Sequence, residues 1–254
     1  MQGQFIPFTP EAIVDENNRT LLDFRAPTFL GGQKEEEEDE LRNELHQTTI
    51  AIAKFANVHK IPNEKLDSTI RNDNFVYYRV DSGMNINVPK GRIKELRFFL
   101  SLYADGKQSG EVFALDGFPN DKIKHATIVA GKIKLGMNNL LKIIPITQPL
   151  ASVIDIDINP WEVNWGYDKL QVGFTEGLTD NVNWYLSADN VNQSFNCHIT
   201  LMKKDTAKDV YAITRARWIY EPQSRGILAW LKRRFNRGDV VVRGDEKSID
   251  IIKG

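Results

Sequence analysis

The chain has 254 residues, 41% of them hydrophobic and 26% charged, enough for one large domain or two small ones around a substantial core. Its 33 basic and 34 acidic residues leave a formal net charge of -1, so no overall field draws it onto nucleic acid or membrane, and any such partner has to be met by a local patch. The single cysteine, Cys197, excludes an intrachain disulfide and with it a disulfide-stapled secreted domain.

From Met1 to Gly32 the chain reads as irregular, punctuated by Pro7, Pro10, Pro27 and the Gly31-Gly32 pair. Phe5, Phe8, Leu21, Leu22, Phe24, Phe29 and Leu30 supply too many apolar anchors for disorder, and predict an arm that packs on its own domain or on a neighbouring subunit. Met1 to Pro10 has neither a basic stretch nor an apolar core of the secretory kind, so no leader is expected. The most apolar run, Leu140 to Ile146, is far too short to span a bilayer. A cytoplasmic location is therefore expected, with the sequons at Asn18 and Asn192 unused and any membrane contact made from the surface.

The acidic run Glu35 to Glu40 opens a helix. Leu41, Leu45, Thr48, Ile52, Phe55 and His59 recur at steps of four and three, one face of an amphipathic helix, with the acids at the end where the helix dipole favours them. A solvated helix start explains the run; an interaction motif is the alternative. Pro62 ends this helix, and a short second one is predicted near Asn63 to Arg71.

From Phe75 short strands take over. Phe75 to Val80 is aromatic and β-branched, and Leu96, Phe98, Leu100 and Leu102 share one face at period two. Asp105-Gly106 is a hairpin-type turn signal. Further strands are expected at Glu111 to Leu115, Thr127 to Leu135, Leu140 to Ile146, Val153 to Ile158, Glu162 to Trp165, Leu170 to Phe174, Asn183 to Leu186, Phe195 to Met202 and Val210 to Tyr220. The last two are expected to form a hairpin through Lys203 to Lys208. Arg225 to Arg237 reads as a helix stopped by Gly238, and Val240 to Val242 and Ser248 to Ile252 as closing strands. The fold class is mainly β (α+β): an antiparallel β-sandwich or strongly curved sheet with an N-terminal helical segment and a C-terminal basic amphipathic helix. Residues 1-74 form the arm and helical segment and 75-254 the β-rich domain, together one compact unit.

No motif for common catalysis is present. The chain has no glycine-rich phosphate loop, and Gly131 and Gly136 lie inside a strand-like stretch. His46, His59, His125 and His198 have no metal-ligand spacing with one another or with Cys197. Cys197 and His198 are neighbours on a strand and so point to opposite faces, which makes Cys197, on the face of Phe195, Ile199 and Leu201, a core thiol. No Gly-x-Ser-x-Gly elbow occurs. The expectation is a protein that is not an enzyme and carries no cofactor.

Three sets of residues remain as candidate sites. Asp155 and Asp157 could hold a divalent cation in a metal-dependent transferase or hydrolase, but Ile154, Ile156 and Ile158 keep the alternation running past them, so both fit one solvated strand face about 7 Å apart. Trp161, Trp165, Trp184 and Tyr185 sit near several asparagines and could stack on sugars or bases; core tryptophans give the same composition. Arg215, Arg217, Arg225, Lys232, Arg233, Arg234 and Arg237 make a basic segment with Glu221 its only acid. On a helix, Ile227, Leu228, Leu231 and Phe235 form an apolar arc, with Trp230 at its side as an interfacial indole. That pattern suits lipid headgroups or nucleic-acid phosphates. An ordinary surface helix, its bases solvated or paired with Glu35 to Glu40, is the plain alternative.

The first functional expectation is a non-enzymatic structural, assembly or adaptor protein. It would self-associate or bind a protein partner and meet an anionic membrane surface or nucleic acid through the C-terminal basic segment. In general architecture this has the character of a viral matrix or movement protein. A carbohydrate- or ligand-binding β-sandwich built on the late tryptophans is the second expectation, and the metal-dependent enzyme the third.

Overall fold

In the computed structural model the described residues are 5–15, 17–27, 33–54, 57–66, 71–108, 110–118, 171–174, 178–192, 194–223, 225–235 and 238–254. The expected strands at 127–135, 140–146, 153–158 and 162–165 lie outside them.

The N-terminal stretch is not irregular. It forms three strands, β1 (Phe5–Pro7), β2 (Pro10–Val14) and β3 (Thr20–Asp23). Pro7 and Pro10 stand at the last and first residue of their strands, where a missing N–H disturbs a ladder least. Helix α1 (Gln33–Gln47) starts on its acids as expected but stops well short of His59. At its end the Thr48 hydroxyl donates to the Glu44 carbonyl (3.1 Å). The chain then continues as β4 (Thr49–Ala53) and β5 (Asn57–Ile61). Thr48, Thr49, Ile50 and Ile52 are β-branched, and Ile50, Ala51, Ile52 and Ala53 are all buried, so strand propensity and burial on both faces of a sheet strand override the apparent helical period. The predicted second helix is reduced, among the described residues, to a 3-10 turn over Asn63–Lys65 that has no side-chain cap.

The remaining elements are β6 (Phe75–Asn87), β7 (Arg92–Ala104), β8 (Val112–Phe118), β9 (Gln171–Phe174), β10 (Asn181–Ser187), β11 (Ser194–Lys204), β12 (Val210–Glu221), α2 (Arg225–Phe235), β13 (Val240–Gly244) and β14 (Lys247–Ile252). They complete two antiparallel sheets packed face to face as a β-sandwich. The six-stranded sheet runs β1-β4-β6-β11-β8, with β5 also on β6. The eight-stranded sheet runs β3-β2-β13-β12-β7-β10-β9, with β14 also on β12.

Successive long strands change sheets, which overturns the expected β11–β12 hairpin. Both edges of β11 are taken by β6 and β8, and both edges of β12 by β7 and by β13 with β14. The linking segment is held by Lys203, which is 6% exposed and donates its ammonium to the Ala207 carbonyl. Asp105-Gly106 does make the tight turn, with φ of 49° and 79° and Ala104 and Lys107 exchanging backbone hydrogen bonds. It does not join a hairpin, however: it sends the chain from β7 across to β8 in the other sheet.

The core follows the alternation. Val210, Ala212, Thr214, Ala216, Trp218 and Tyr220 of β12 and Phe98, Leu100 and Leu102 of β7 point inward against Ile52, Val80, Met84, Ile199 and Leu201 of the facing sheet. Each large side chain so buried contributes about 1.5–3 kcal/mol. Helix α1 packs on α2, and Leu41, Leu45, Ile227 and Leu231 enter the same core.

A polar clamp ties this corner together. The Glu44 carboxylate, 3% exposed, accepts from the Tyr220 hydroxyl (2.9 Å) and from the Gln223 backbone N–H (3.2 Å). The same hydroxyl lies 2.8 Å from the Lys90 carbonyl. Burial, with the Glu44 charge beside it, pushes the Tyr220 hydroxyl well above its ordinary pKa. Gly91, at φ +67°, is pressed against this tyrosine; an added Cβ would lie 2.6 Å from the Glu221 carbonyl oxygen and closer still to the hydroxyl.

Candidate anion-binding face

Because β7, β10 and β12 alternate, their second set of side chains covers the outer face of the eight-stranded sheet, and the register decides which of them meet. On β12, Arg217 stands opposite Arg97 of β7 on one side and opposite Arg243 of β13 on the other. Arg97 in turn stands opposite Tyr185 of β10. One row across four strands therefore reads Tyr185, Arg97, Arg217, Arg243, with neighbouring strands about 4.8 Å apart. The next row reads Asn183, Phe99, Arg215.

Arg97 and Arg243 are exposed, Arg217 is half-buried, and Phe99 keeps 36% of its surface in solvent. The Arg97 guanidinium lies 5.0 Å from the centroid of the Tyr185 ring. The nearest compensating acids are few. Glu95 comes within 3.9 Å of Arg97, and Glu246 accepts from Arg215 Nε at 2.6 Å. Among the described residues no carboxylate is within ion-pair distance of Arg217 or Arg243. Like charges directly opposite on adjacent strands are destabilising. Three arginines in register thus run against the local stability of the sheet, the kind of conflict that marks a functional surface. A groove of about 450 Å³ crosses this face, lined by Phe99, Asn183, Arg215, Arg217 and Arg243 among others.

The structure does not bring the predicted basic set together. Arg215 and Arg217 belong to β12 and the sheet face, whereas Lys232 projects, exposed, from α2. Arg225, Arg233 and Arg234 lie in α2 with side chains outside the described set, and Arg237 lies outside it altogether. Trp230 is not an interfacial indole. It is 7% exposed and part of the core, because α2 packs both on the sandwich and on α1. The acidic helix α1 therefore neighbours the basic helix, and Gly226 of α2 lies beside Glu37.

Of the aromatic candidates, Trp184 is fully buried, which removes it as a stacking platform, and Tyr185 is half-buried beneath Arg97. Trp161, Trp165, Asp155 and Asp157 lie outside the described residues. Cys197 is buried and its thiol is pushed up to about 12 by burial, as a core thiol should be. Among the described residues no cluster of histidine, cysteine and carboxylate side chains could hold a metal ion, and no helix is long and apolar enough to cross a membrane.

Sequence reasoning missed Arg97, Phe99 and Arg243. Their outward parity was readable, since each alternates with buried neighbours, but nothing local announces that strands so far apart in the chain place them side by side.

No family model and no curated protein matches the chain. Among solved structures it is similar to a collagen-binding domain from a Staphylococcus aureus adhesin at 12% identity, covering 78% of this chain and 97% of that one with a TM-score of 0.28. It is also similar to the Clostridium perfringens NetB toxin in its membrane-inserted form at 7% identity, covering 97% and 94% with a TM-score of 0.29. At such scores neither likeness carries an argument about function.

Proposed function

We propose that this chain is a non-enzymatic binding or assembly protein that meets an anionic partner through the outer face of its eight-stranded sheet. Arg215 and Arg217 of the basic segment contribute to that face. The observation that carries the reading is the register of Arg97, Arg217 and Arg243 on three adjacent strands, two of them without an acidic partner among the described residues. Guanidinium groups in a row present forked donors to phosphate, sulfate or carboxylate groups, and a sheet holds their spacing fixed. Helix α2 is the weaker surface, because its Ile227, Trp230 and Leu231 are spent on the core and its neighbour α1 is acidic.

The experiment compares two charge-neutralised proteins: one with Arg97, Arg217 and Arg243 changed to Gln, the other with Lys232, Arg233, Arg234 and Arg237 changed to Gln. Binding to heparin, to anionic vesicles and to an oligonucleotide is followed at low and moderate salt. The sheet variant is expected to lose salt-sensitive binding and the helix variant to keep most of it. Loss confined to the helix variant, or binding insensitive to salt, removes the proposal.

A further inference from the structure

Resting on that reading, we infer that the face takes a single-stranded nucleic acid, with its phosphates along the arginine row and a base stacked on Phe99 in the row beside it. Three features of the face select this polymer.

The charges are drawn out rather than gathered round a point. Arg97, Arg217 and Arg243 span two strand spacings, about 10 Å, in a line set by the ladder. A lone phosphate needs donors that converge; a row at fixed spacing matches successive anionic groups of one chain. The second feature is the exposed aromatic ring. Phe99 is directly opposite Arg215 and two residues along the ladder from the Arg97–Arg217 pair, on the same face, so apolar and cationic contacts run as parallel tracks. A polynucleotide has the same division, charge along one edge and π-faces along the other, and any base can use the ring. Tyr185, its ring centroid 5.0 Å from the Arg97 guanidinium, gives that group a cation–π platform.

The third feature is the shape. A duplex is read by an element narrow enough to enter a groove, about 12 Å wide at most, and the middle of a broad sheet offers none. Vesicle binding wants apolar groups inserted alongside the cationic side chains, whereas among the described residues the one large exposed apolar side chain lining the groove is Phe99. Splayed single strands lie flat on sheet faces, where their bases are free to stack.

The test uses the full chain and a fluorescein-labelled oligothymidylate of roughly a dozen nucleotides, followed by anisotropy between about 50 and 200 mM salt. The same strand annealed to its complement, heparin, and phosphatidylcholine vesicles containing phosphatidylserine serve as competing arms. Wild type is expected to prefer the single strand, with log K falling against log salt at a slope near -2, about -0.7 for each of three phosphates neutralised. Arg217→Gln should flatten that slope by about 0.7. Phe99→Ala should weaken binding roughly 5- to 150-fold and leave the slope unchanged. Phe99→Leu keeps the apolar bulk on the strand but removes the ring, so a like loss in both variants at wild-type Tm assigns the effect to stacking. Binding of heparin or vesicles without the oligonucleotide overturns the inference and leaves the anionic-face reading standing. Equal affinity for single strand and duplex, or full affinity in both Phe99 variants, also overturns it. Binding of none of these probes overturns both.

Discussion

Replacing Tyr220 by Phe removes one oxygen from the clamp that joins α1, β12 and the β6–β7 connection. The lost contact is a hydrogen bond to a buried carboxylate, Glu44, at 2.9 Å. Such bonds contribute about 1.5–3 kcal/mol, and Glu44 retains the Gln223 N–H, so a loss of about 2 kcal/mol is expected. For a chain of this size that is a fall in Tm of roughly 4–8 °C, with a lower urea midpoint and an unchanged slope. The pH dependence gives a second reading. Tyr220 is held above its ordinary pKa, so above about pH 10 the unfolded chain releases a proton that the folded one keeps. The folded state then binds more protons, and the wild-type advantage is complete below pH 10 and declines as pH rises, by at most about 1.4 kcal/mol per unit. Tyr77 and Tyr78 are raised too, so the quantity to follow is the difference between wild type and Tyr220→Phe. That difference should shrink from pH 9 to about pH 11. A Tm within about a degree of wild type, with a difference constant across this range, would refute the clamp.

Three more outcomes follow from particular contacts. Gly91→Ala should cost more than Tyr220→Phe, since it adds about 1–2 kcal/mol of left-handed strain to a clash with the Glu221 carbonyl; an unchanged Tm would show that the backbone there relaxes freely. Thr214→Val should stabilise by about 1 kcal/mol in urea titrations, because the fully buried Thr214 hydroxyl has no hydrogen-bond partner among the described residues, and a loss instead would reveal one. Burial and the Arg79 charge pull His198 down to about 3. The unfolded chain therefore takes up a proton near pH 6.5 that the folded one refuses, and stability falls as pH drops from there toward 3. The ring is only half-buried by its own surface, so the slope is less than the limiting 1.4 kcal/mol or so per unit. The imidazole resonances of His198 should stay neutral to about pH 4, and titration near 6.5 would contradict this.

Strand interiors could be read because alternation is local. Leu96, Phe98, Leu100 and Leu102 announce their face without help from any other strand, and so do the inward residues of β12. The end of α1 could not, because Ile52 satisfies both a step of four from Thr48 and a step of two from Ile50. The β11–β12 connection departs from its local pattern for another reason. Short polar links usually make hairpins, and only the prior occupation of both strand edges forbids it here. The basic segment drew notice through the density of its charges, yet the two members placed on the candidate face, Arg215 and Arg217, gain their neighbours from β7 and β13. Local charge density carries no information about such register.

The pairing of β2 with β13 has a consequence for how the chain is made. Thr9 and Asp245, 236 positions apart, bond to each other where these strands meet. At about 5–20 residues per second, a ribosome that has just released β2 needs roughly ten to fifty seconds to deliver its partner. Through that interval the apolar side chains of Ile13 and Val14 lack β13 beside them, and the eight-stranded sheet cannot be completed. Completion is a late, long-range event rather than a gradual one, so nascent chains stalled before residue 240 are the ones a chaperone should hold longest.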